Sequence, residues 1–165
     1  MKTVLLSIAA SLIFLSCSKK NEEPVGFILS TSFYFNVLDS EGEDLINPSN
    51  SGYFPFEDMK LYYIIDNEKI EVYDSLMSSP RNIGLISESI PFRLGVGFHD
   101  GQDGFTHEEN GIRIGLSTAL LEFNNSVTDT IVAEWASVEG KSFVIDRIWY
   151  NGEEYSSNDV FQIVK

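Results

Sequence analysis

Two histidines, His99 and His107, lie in a segment that also carries several carboxylates. Histidine nitrogens combined with carboxylate oxygens are a common ligand set for zinc, so this segment is a candidate zinc site. The two histidines are not spaced as neighbours on one helix face, however, and the segment is rich in glycine. A solvated hairpin loop is therefore the interpretation that we favour. The nearby acids are Asp100, Asp103, Glu108 and Glu109.

Two acidic loops are candidates for calcium, one at residues 39–44 and one at residues 99–104. Calcium takes several oxygen ligands from a bent stretch of backbone, and both loops offer carboxylates beside glycine. Neither loop follows the EF-hand pattern of acids, glycine and closing glutamate. The alternative is that Asp39 and Asp44 accept hydrogen bonds from neighbouring backbone amides and stabilise the turns without a metal. We predict no metal site and no cofactor.

The residue types that support covalent catalysis form no recognisable pattern. Cys17 is the only cysteine, and no serine stands between glycines as it does at the strand-to-helix elbow of hydrolases. A serine-histidine-carboxylate triad is assembled in space, so sequence order neither identifies nor excludes one. Among 25 acidic residues, some pair of carboxylates will always have a suitable separation, so the sequence does not identify the catalytic pair of a glycosidase. We therefore predict no catalytic residue and no enzyme activity.

Aromatic residues are the remaining candidates for recognition. Tyr53, Phe54 and Phe56 stand between turn signals, where burial in a strand is not assured. Exposed rings can cover the C–H face of a sugar while neighbouring Asp and Asn side chains bind its hydroxyls, and rigid rings also anchor protein partners. We name these three residues as candidate ligand-binding residues, and the alternative is a loop packed on the core. Further rings that we expect to face solvent are Tyr62, Tyr150 and Tyr155.

Alternation of apolar and polar residues indicates where strands lie. It is visible in residues 33–37, 92–98, 112–116 and 131–135. A period of two residues is typical of a strand with one buried face. Weak helical candidates, of one turn each at most, are residues 57–59 and 118–122.

Turn residues separate these strands. Asp66 and Asn67 predict a tight hairpin. Asn151 and Gly152 form the strongest hairpin signal, which we expect to join residues 143–150 to a final strand containing Phe161, Ile163 and Val164. Seven or eight strands without a helical period predict an all-β fold, an antiparallel β-sandwich of the immunoglobulin-like or a related type. We assign residues 26–165 to this single domain, which is long enough to bury its own core.

Residues 1–16 have the composition of a secretory leader, with Lys2 followed by an apolar run. That run is shorter than the roughly 20 residues that cross a bilayer as a helix. Residues 14–17, which read Phe-Leu-Ser-Cys, resemble the signal of bacterial lipoproteins, although Phe14 stands where an aliphatic residue is usual. The resemblance implies cleavage before Cys17 and attachment of lipid to its thiol.

Residues 17–25 are polar and predict a flexible tether. The acidic pair of Glu22 and Glu23 resembles the signal that exports Bacteroidetes lipoproteins to the outer face of the outer membrane, and a solvated linker is the alternative. Several stretches of the chain resemble a family of uncharacterised Bacteroidetes envelope lipoproteins. The resemblance implies a β-rich envelope lipoprotein and transfers no catalytic or ligand-binding residue. The stretches are residues 35–48, 60–65, 71–73, 80–81 and 148–153.

The chain has a net charge of −14. Nucleic acids are bound by basic patches, so this charge argues against a nucleic-acid partner. We expect the chain to lie in the cell envelope, anchored to a membrane by lipid on Cys17, with the outer membrane and the cell surface as the expected location. The predicted function is non-catalytic binding of a glycan or a protein. The alternative is a structural role in the assembly of an envelope complex.

Overall fold

The computed structural model describes residues 28–98, 104–138 and 142–165, which form two β-sheets and one short 3-10 helix, Phe56–Asp58. The strands in chain order are β1 (Ile28–Ser30), β2 (Ser32–Leu38), β3 (Lys60–Ile65), β4 (Glu68–Glu71), β5 (Ile83–Ile86), β6 (Arg93–Gly97), β7 (Phe105–Glu109), β8 (Ile112–Asn124), β9 (Val127–Val138), β10 (Ser142–Tyr150), β11 (Glu153–Ser156) and β12 (Phe161–Val164).

The larger sheet has the strand order β1-β10-β9-β8-β3-β4, with β11 paired to β10 and β7 paired to β8. The smaller sheet has the order β12-β2-β6-β5. Within the described part of the chain, the paired strands are antiparallel except for β1 with β10 and β12 with β2. The strand count exceeds the predicted seven or eight partly because β7 and β11 consist mainly of exposed residues, without apolar alternation.

The two sheets pack face to face around an aromatic core. Phe35 on β2 meets Tyr150 on β10 edge to face, with ring centroids 5.2 Å apart. Tyr63 on β3 stacks at 5.8 Å on Phe98, which follows β6. Such ring pairs contribute about 0.5–1.5 kcal/mol each beyond the area that they bury. The predicted all-β sandwich is confirmed, and the described residues of its buried core all lie within residues 33–163.

The predicted destination of the last strand is wrong. The turn at Asn151 and Gly152 leads from β10 to β11, and β12 then crosses to the smaller sheet and pairs in parallel with β2. Phe161 on β12 stacks on Phe35 at 5.5 Å. As a strand of the smaller sheet, β12 buries its apolar face between the two sheets, where Phe161 also contacts Tyr150 and Tyr155 of the larger sheet. A hairpin signal in the sequence does not specify this placement.

Two hairpins occur where turn chemistry predicts them. Asp66 and Asn67, at φ of 51° and 66°, connect β3 to β4. Asn151 and Gly152, at φ of 49° and 88°, connect β10 to β11. Asn, Asp and Gly tolerate positive φ better than other residues, so these positions select the two-residue turns that match the strand twist.

Strand β8 corrects two sequence expectations. Residues 118–122, a weak helical candidate, are extended and pair with β9 and β3. Ile112 and Leu116 are exposed on the outer face of the larger sheet, whereas Leu121 and Phe123 on the same strand are buried against the smaller sheet. The alternation that predicts the strand is correct, but the apolar residues of its first half lie on the uncovered face.

Candidate functional site

A cleft of about 1040 Å³ lies between the two sheets at one end of the sandwich. The larger sheet contributes β3, β4 and the neighbouring ends of β8, β9 and β10, and the smaller sheet contributes β2 and β6. Much of one wall comes from residues 72–82, which cross from β4 in the larger sheet to β5 in the smaller. A concave surface that combines apolar side chains with a few polar groups is the usual form of a binding site.

Tyr63 holds the floor of this cleft in place. Its hydroxyl donates to the Gly97 carbonyl at 2.9 Å and accepts from the Asn82 side-chain amide at 3.0 Å. The Gly97 N–H in turn donates to the Asn82 carbonyl at 2.8 Å. Because these bonds join β3 of the larger sheet to the smaller sheet, the floor is formed before any ligand arrives.

Exposed apolar side chains line the cleft on the β4 side. Ile70, Tyr73 and Met77 leave 44%, 67% and 51% of their surfaces exposed, and all three line the cleft. The turn after Tyr73 is held by the Asp74 carboxylate, which accepts the Leu76 backbone N–H at 2.9 Å. A ligand that covers this wall removes apolar area from water, which stabilises a complex by roughly 25 cal/mol per Å².

Arg113 supplies the positive charge of the cleft. It is the one Lys or Arg among the described residues that line it. Arg113 lies on β8 opposite Ser137 of β9, and both residues line the cleft. Its guanidinium lies 5.2 Å from the centre of the Phe105 ring and forms no ion pair with any residue that the structure describes.

The two acids that line the cleft are directed elsewhere. The Asp74 carboxylate binds the backbone of its own turn. Glu71 pairs across the strands with Tyr62. Tyr62 precedes the inward-facing Tyr63 on β3 and therefore faces outward. The side chain of Glu71 is therefore on the outer side of the sheet, because paired residues share a face. Neither of these two carboxylates therefore offsets the charge of the Arg113 guanidinium. Glu108 on β7 is the cross-strand partner of Arg113 and lies on the same face of the sheet, but the two side chains form no ion pair.

Sequence reasoning did not identify this cleft. Tyr73, Met77, Asn82 and Arg113 come from separate segments, and only the tertiary structure brings them together. The one local signal is Asn82, which adopts a φ of 51°, a conformation that Asn tolerates well. A positive φ shows that the backbone turns but does not indicate a binding site.

The three rings named from the sequence lie in the segment before β3 and do not line the cleft. Tyr53 is 39% exposed. Phe54 packs on the buried Phe123, with ring centroids 5.1 Å apart, and Phe56 is half-buried with the Arg81 guanidinium 5.0 Å from its ring centre. Phe54 and Phe56 therefore contribute to packing, and Tyr53 is the most exposed of the three.

Two tyrosines that we expected to face solvent are not on an exposed platform. Tyr150 is buried, so that expectation is wrong. Tyr155 is partly buried, and its ring stacks on Phe161 at 4.2 Å. Burial and a hydrogen bond to Glu153 raise the pKa of the Tyr155 hydroxyl above its ordinary value. Both rings face the sandwich interior because Phe161 crosses to the smaller sheet beneath them.

Asp129 organises a buried polar cluster at the opposite end of β9 from the cleft. Its carboxylate accepts from the Tyr150 hydroxyl at 2.5 Å and from the Asn151 side chain at 2.9 Å, and it forms an ion pair with Lys165. Burial, followed by the charge of Asp129, raises the pKa of Tyr150 far above its ordinary value. These bonds join β9 and β10 to Lys165. Because each group in the cluster has a hydrogen-bond partner, the cluster stabilises the fold and offers no free reactive group.

The outer face of the larger sheet carries two more rings, Tyr62 and Trp149. Both are half-buried, and each lies beneath a cation. The Lys69 ammonium is 3.7 Å from the centre of the Tyr62 ring, and the Arg147 guanidinium is 5.4 Å from that of Trp149. These rings lie on the outside of the sandwich and do not line the cleft.

The acidic loop at residues 39–44 is closed by its own hydrogen bonds. Asp39 accepts two backbone N–H groups of the same loop, both at 2.8 Å. The buried Asp44 accepts the backbone N–H of Ile46 at 2.9 Å and that of Phe92 at 2.7 Å. This arrangement corresponds to the metal-free alternative, in which the carboxylates stabilise the turn.

The second candidate metal segment is described only in part. His107, Glu108 and Glu109 lie exposed on β7, whereas residues 99–103 lie outside the described residues. Among the residues described, no three His, Cys, Asp or Glu side chains gather closely enough to hold a metal ion.

The leader, Cys17 and the tether also lie outside the described residues. The lipid anchor therefore stays a prediction. In the part of the chain that the structure covers, no helix has the length and apolar character needed to span a membrane.

Comparisons with known proteins found no match. No protein-family model matches the chain, and neither a search of curated proteins nor a search of solved structures found a similar protein.

Proposed function

We propose that this chain is a non-catalytic binding module of the bacterial cell envelope, anchored to the outer membrane by lipid on Cys17 and exposed at the cell surface. Its binding site is the cleft between the two sheets, and its ligand is a glycan or a segment of a protein. The anchor rests on the resemblance of residues 14–17 to a lipoprotein signal. The site rests on the geometry of the cleft.

The observation that carries the proposal is a preformed floor beside an exposed apolar wall. Tyr63 bridges the two sheets through Gly97 and Asn82, so the cleft does not need to be assembled on binding. Preorganisation lowers the entropy cost of association. Ile70 and Met77 leave apolar surface in contact with water, and a ligand that covers them gains that area.

Two neighbouring residues provide a matched test of the site. Met77 lines the cleft, whereas Leu76 belongs to the same turn, is 94% exposed and is not part of the lining. In the chain lacking residues 1–17, Met77→Glu should weaken binding because it places a charge on the apolar wall. Leu76→Glu should leave binding unchanged.

Thermal melting with soluble glycans and with the neutral apolar dye N-phenyl-1-naphthylamine would measure this difference. A ligand at about 100 times its Kd stabilises the native state by roughly 2.7 kcal/mol, which a melting curve resolves. We expect at least one ligand to stabilise the parent chain and Leu76→Glu but not Met77→Glu. Equal responses of the two variants, or no response from the parent chain, would refute the cleft as the site.

A structural role in an envelope assembly is a second candidate, favoured by the outer face of the larger sheet. Leu116 is exposed on that face. Two ion pairs lie on it, since Arg147 binds Glu134 through two nitrogens at 3.0 and 2.7 Å and Lys69 lies 3.5 Å from Glu122. These pairs reduce the charge repulsion that a second copy of this acidic chain meets at this face.

Sedimentation at several protein concentrations tests this second candidate. The parent chain and the control Val164→Glu, on the smaller sheet, should both form dimers as concentration rises. Leu116→Glu should stay monomeric because it places an unpaired charge in the contact. A parent chain that is monomeric at every concentration would remove the support for self-association.

A further inference from the structure

We propose that the cleft recognises a ligand with a carboxylate on an apolar body. This inference rests on the proposed function for the position of the binding site. It goes beyond the glycan or protein segment proposed there, because a small apolar acid also has the chemistry that it names. The apolar body lies against Ile70, Tyr73 and Met77, and the carboxylate binds the guanidinium of Arg113.

The position of Arg113 supports the anionic part of this ligand. A guanidinium binds a carboxylate through two parallel N–H donors, and such charge-assisted bonds are about twice as strong as neutral ones. Arg147, Lys69 and Lys165 each have a carboxylate partner in the described structure. Arg113 has none there, and neither do Lys60, Arg81 and Arg93. Of these four cations, Arg113 is the one that lines the cleft. Its donors are therefore available to a ligand in the cleft.

The surrounding acids do not prevent an anion from binding. The Asp74 carboxylate is held by the backbone of its turn, and Glu71 lies on the outer side of the sheet. Glu108 lies opposite Arg113 on the same face, but it is exposed to solvent and forms no ion pair with the guanidinium. The net charge of −14 opposes an approaching anion at long range. Salt at about 0.15 M screens charges beyond roughly 8 Å, so the direct contact with Arg113 decides the outcome at close range.

The wall supports the apolar part of the ligand. Ile70 and Met77 offer aliphatic and thioether surface rather than hydrogen-bonding groups, and methionine adapts its shape to an irregular partner. An acyl or aromatic acid carries the required chemistry, and so does the free C-terminus of a peptide that ends in an apolar residue. The small acid and the peptide C-terminus both place an apolar group beside a carboxylate. They differ in that the carboxylate of the second belongs to a peptide backbone.

Displacement of the neutral dye N-phenyl-1-naphthylamine from the chain lacking residues 1–17 tests the inference. Every described contact of the core lies within residues 33–163, so this chain retains them. The first pair of competitors is decanoate and decanol. The second is an N-acetylated pentapeptide ending in leucine, with a free or an amidated C-terminus. The variants are Arg113→Gln, Arg113→Lys and the control Arg93→Gln, which changes an exposed arginine on β6 outside the cleft.

For at least one pair, the acid should compete about tenfold better than its neutral counterpart, equivalent to 1.4 kcal/mol. Arg113→Gln should abolish that difference, Arg113→Lys should retain part of it, and Arg93→Gln should retain all of it. The pair that shows the difference identifies the source of the carboxylate. Dye binding with no preference for either acid would overturn this inference and leave the proposed function standing. Absence of dye binding, with no response to any glycan, would overturn both.

Discussion

Replacement of Tyr150 by phenylalanine removes one hydrogen bond from the buried cluster and leaves the ring in place. The Tyr150 hydroxyl donates to Asp129 at 2.5 Å, and Asp129 keeps Lys165 and the Asn151 amide as partners in the variant. A hydrogen bond to a charged group contributes about 1.5–3 kcal/mol. Because the carboxylate is not left unpaired, we expect a loss near the lower end, about 2 kcal/mol in the free energy of unfolding at pH 7.

The same substitution should change how stability depends on alkaline pH. Burial and the charge of Asp129 raise the pKa of Tyr150 in the folded chain, whereas an unfolded tyrosine ionises near pH 10, its ordinary pKa of about 10. The stabilising contribution of the folded phenol is complete below about pH 10, and it falls as the unfolded state loses its proton above that value. The parent chain should therefore lose about 1 kcal/mol more than Tyr150→Phe between pH 10 and pH 11.

Urea unfolding followed by tryptophan fluorescence measures both effects, because Trp135 is buried in the core. Tyr155→Phe at pH 7 is the control, since the Tyr155 hydroxyl donates to Glu153 at the surface. We expect the control to change stability by less than about 0.5 kcal/mol. The reasoning is refuted if Tyr150→Phe costs no more than the control. A parent chain and variant that respond identically to alkaline pH would also contradict it.

Three further substitutions test the core by the same urea assay. Asp129→Ala should lower the free energy of unfolding by about 3 kcal/mol, because it leaves the buried Tyr150 hydroxyl without its acceptor and the half-buried Lys165 without its ion-pair partner; a loss below about 1 kcal/mol would show that the cluster is dispensable. Gly115→Ala places a methyl group against the ring of Trp135 and a backbone carbonyl, and should cost about 1–3 kcal/mol or more. Gly95→Ala meets the Tyr34 ring at 2.7 Å, but that ring is exposed and can move, so the expected loss is smaller. Equal losses in the two glycine variants would contradict this assignment.

Much of the local structure could be predicted from the sequence because it depends on neighbouring residues. Alternation predicted strands at residues 33–37 and 92–98, and turn residues predicted the hairpins at Asp66 and Asn151. In each case the determining physics acts within a few residues, through the period of a strand and through tolerance of positive φ. The all-β class follows from the repetition of these local signals.

The orientation of strands required the tertiary structure. Alternation shows that residues share a face, but it does not show which face a second sheet covers. Alternation places Ile112 and Leu116 on one face of β8, and the structure shows that this is the outer face. Tyr150 was expected to face solvent and is buried. The same limitation applies to β12. It belongs to the smaller sheet because it pairs with β2 and Phe161 packs on Phe35, and the turn that precedes it does not specify this.

The pattern of the main strands, the positions of the turns and the net charge follow from the sequence, because each is encoded by adjacent residues or by composition. Only the tertiary structure decided where a ligand could bind. The cleft places Tyr63, Met77, Asn82 and Arg113 around one volume, although they belong to distant segments. Long-range packing of two sheets creates that proximity, and no local sequence pattern records it.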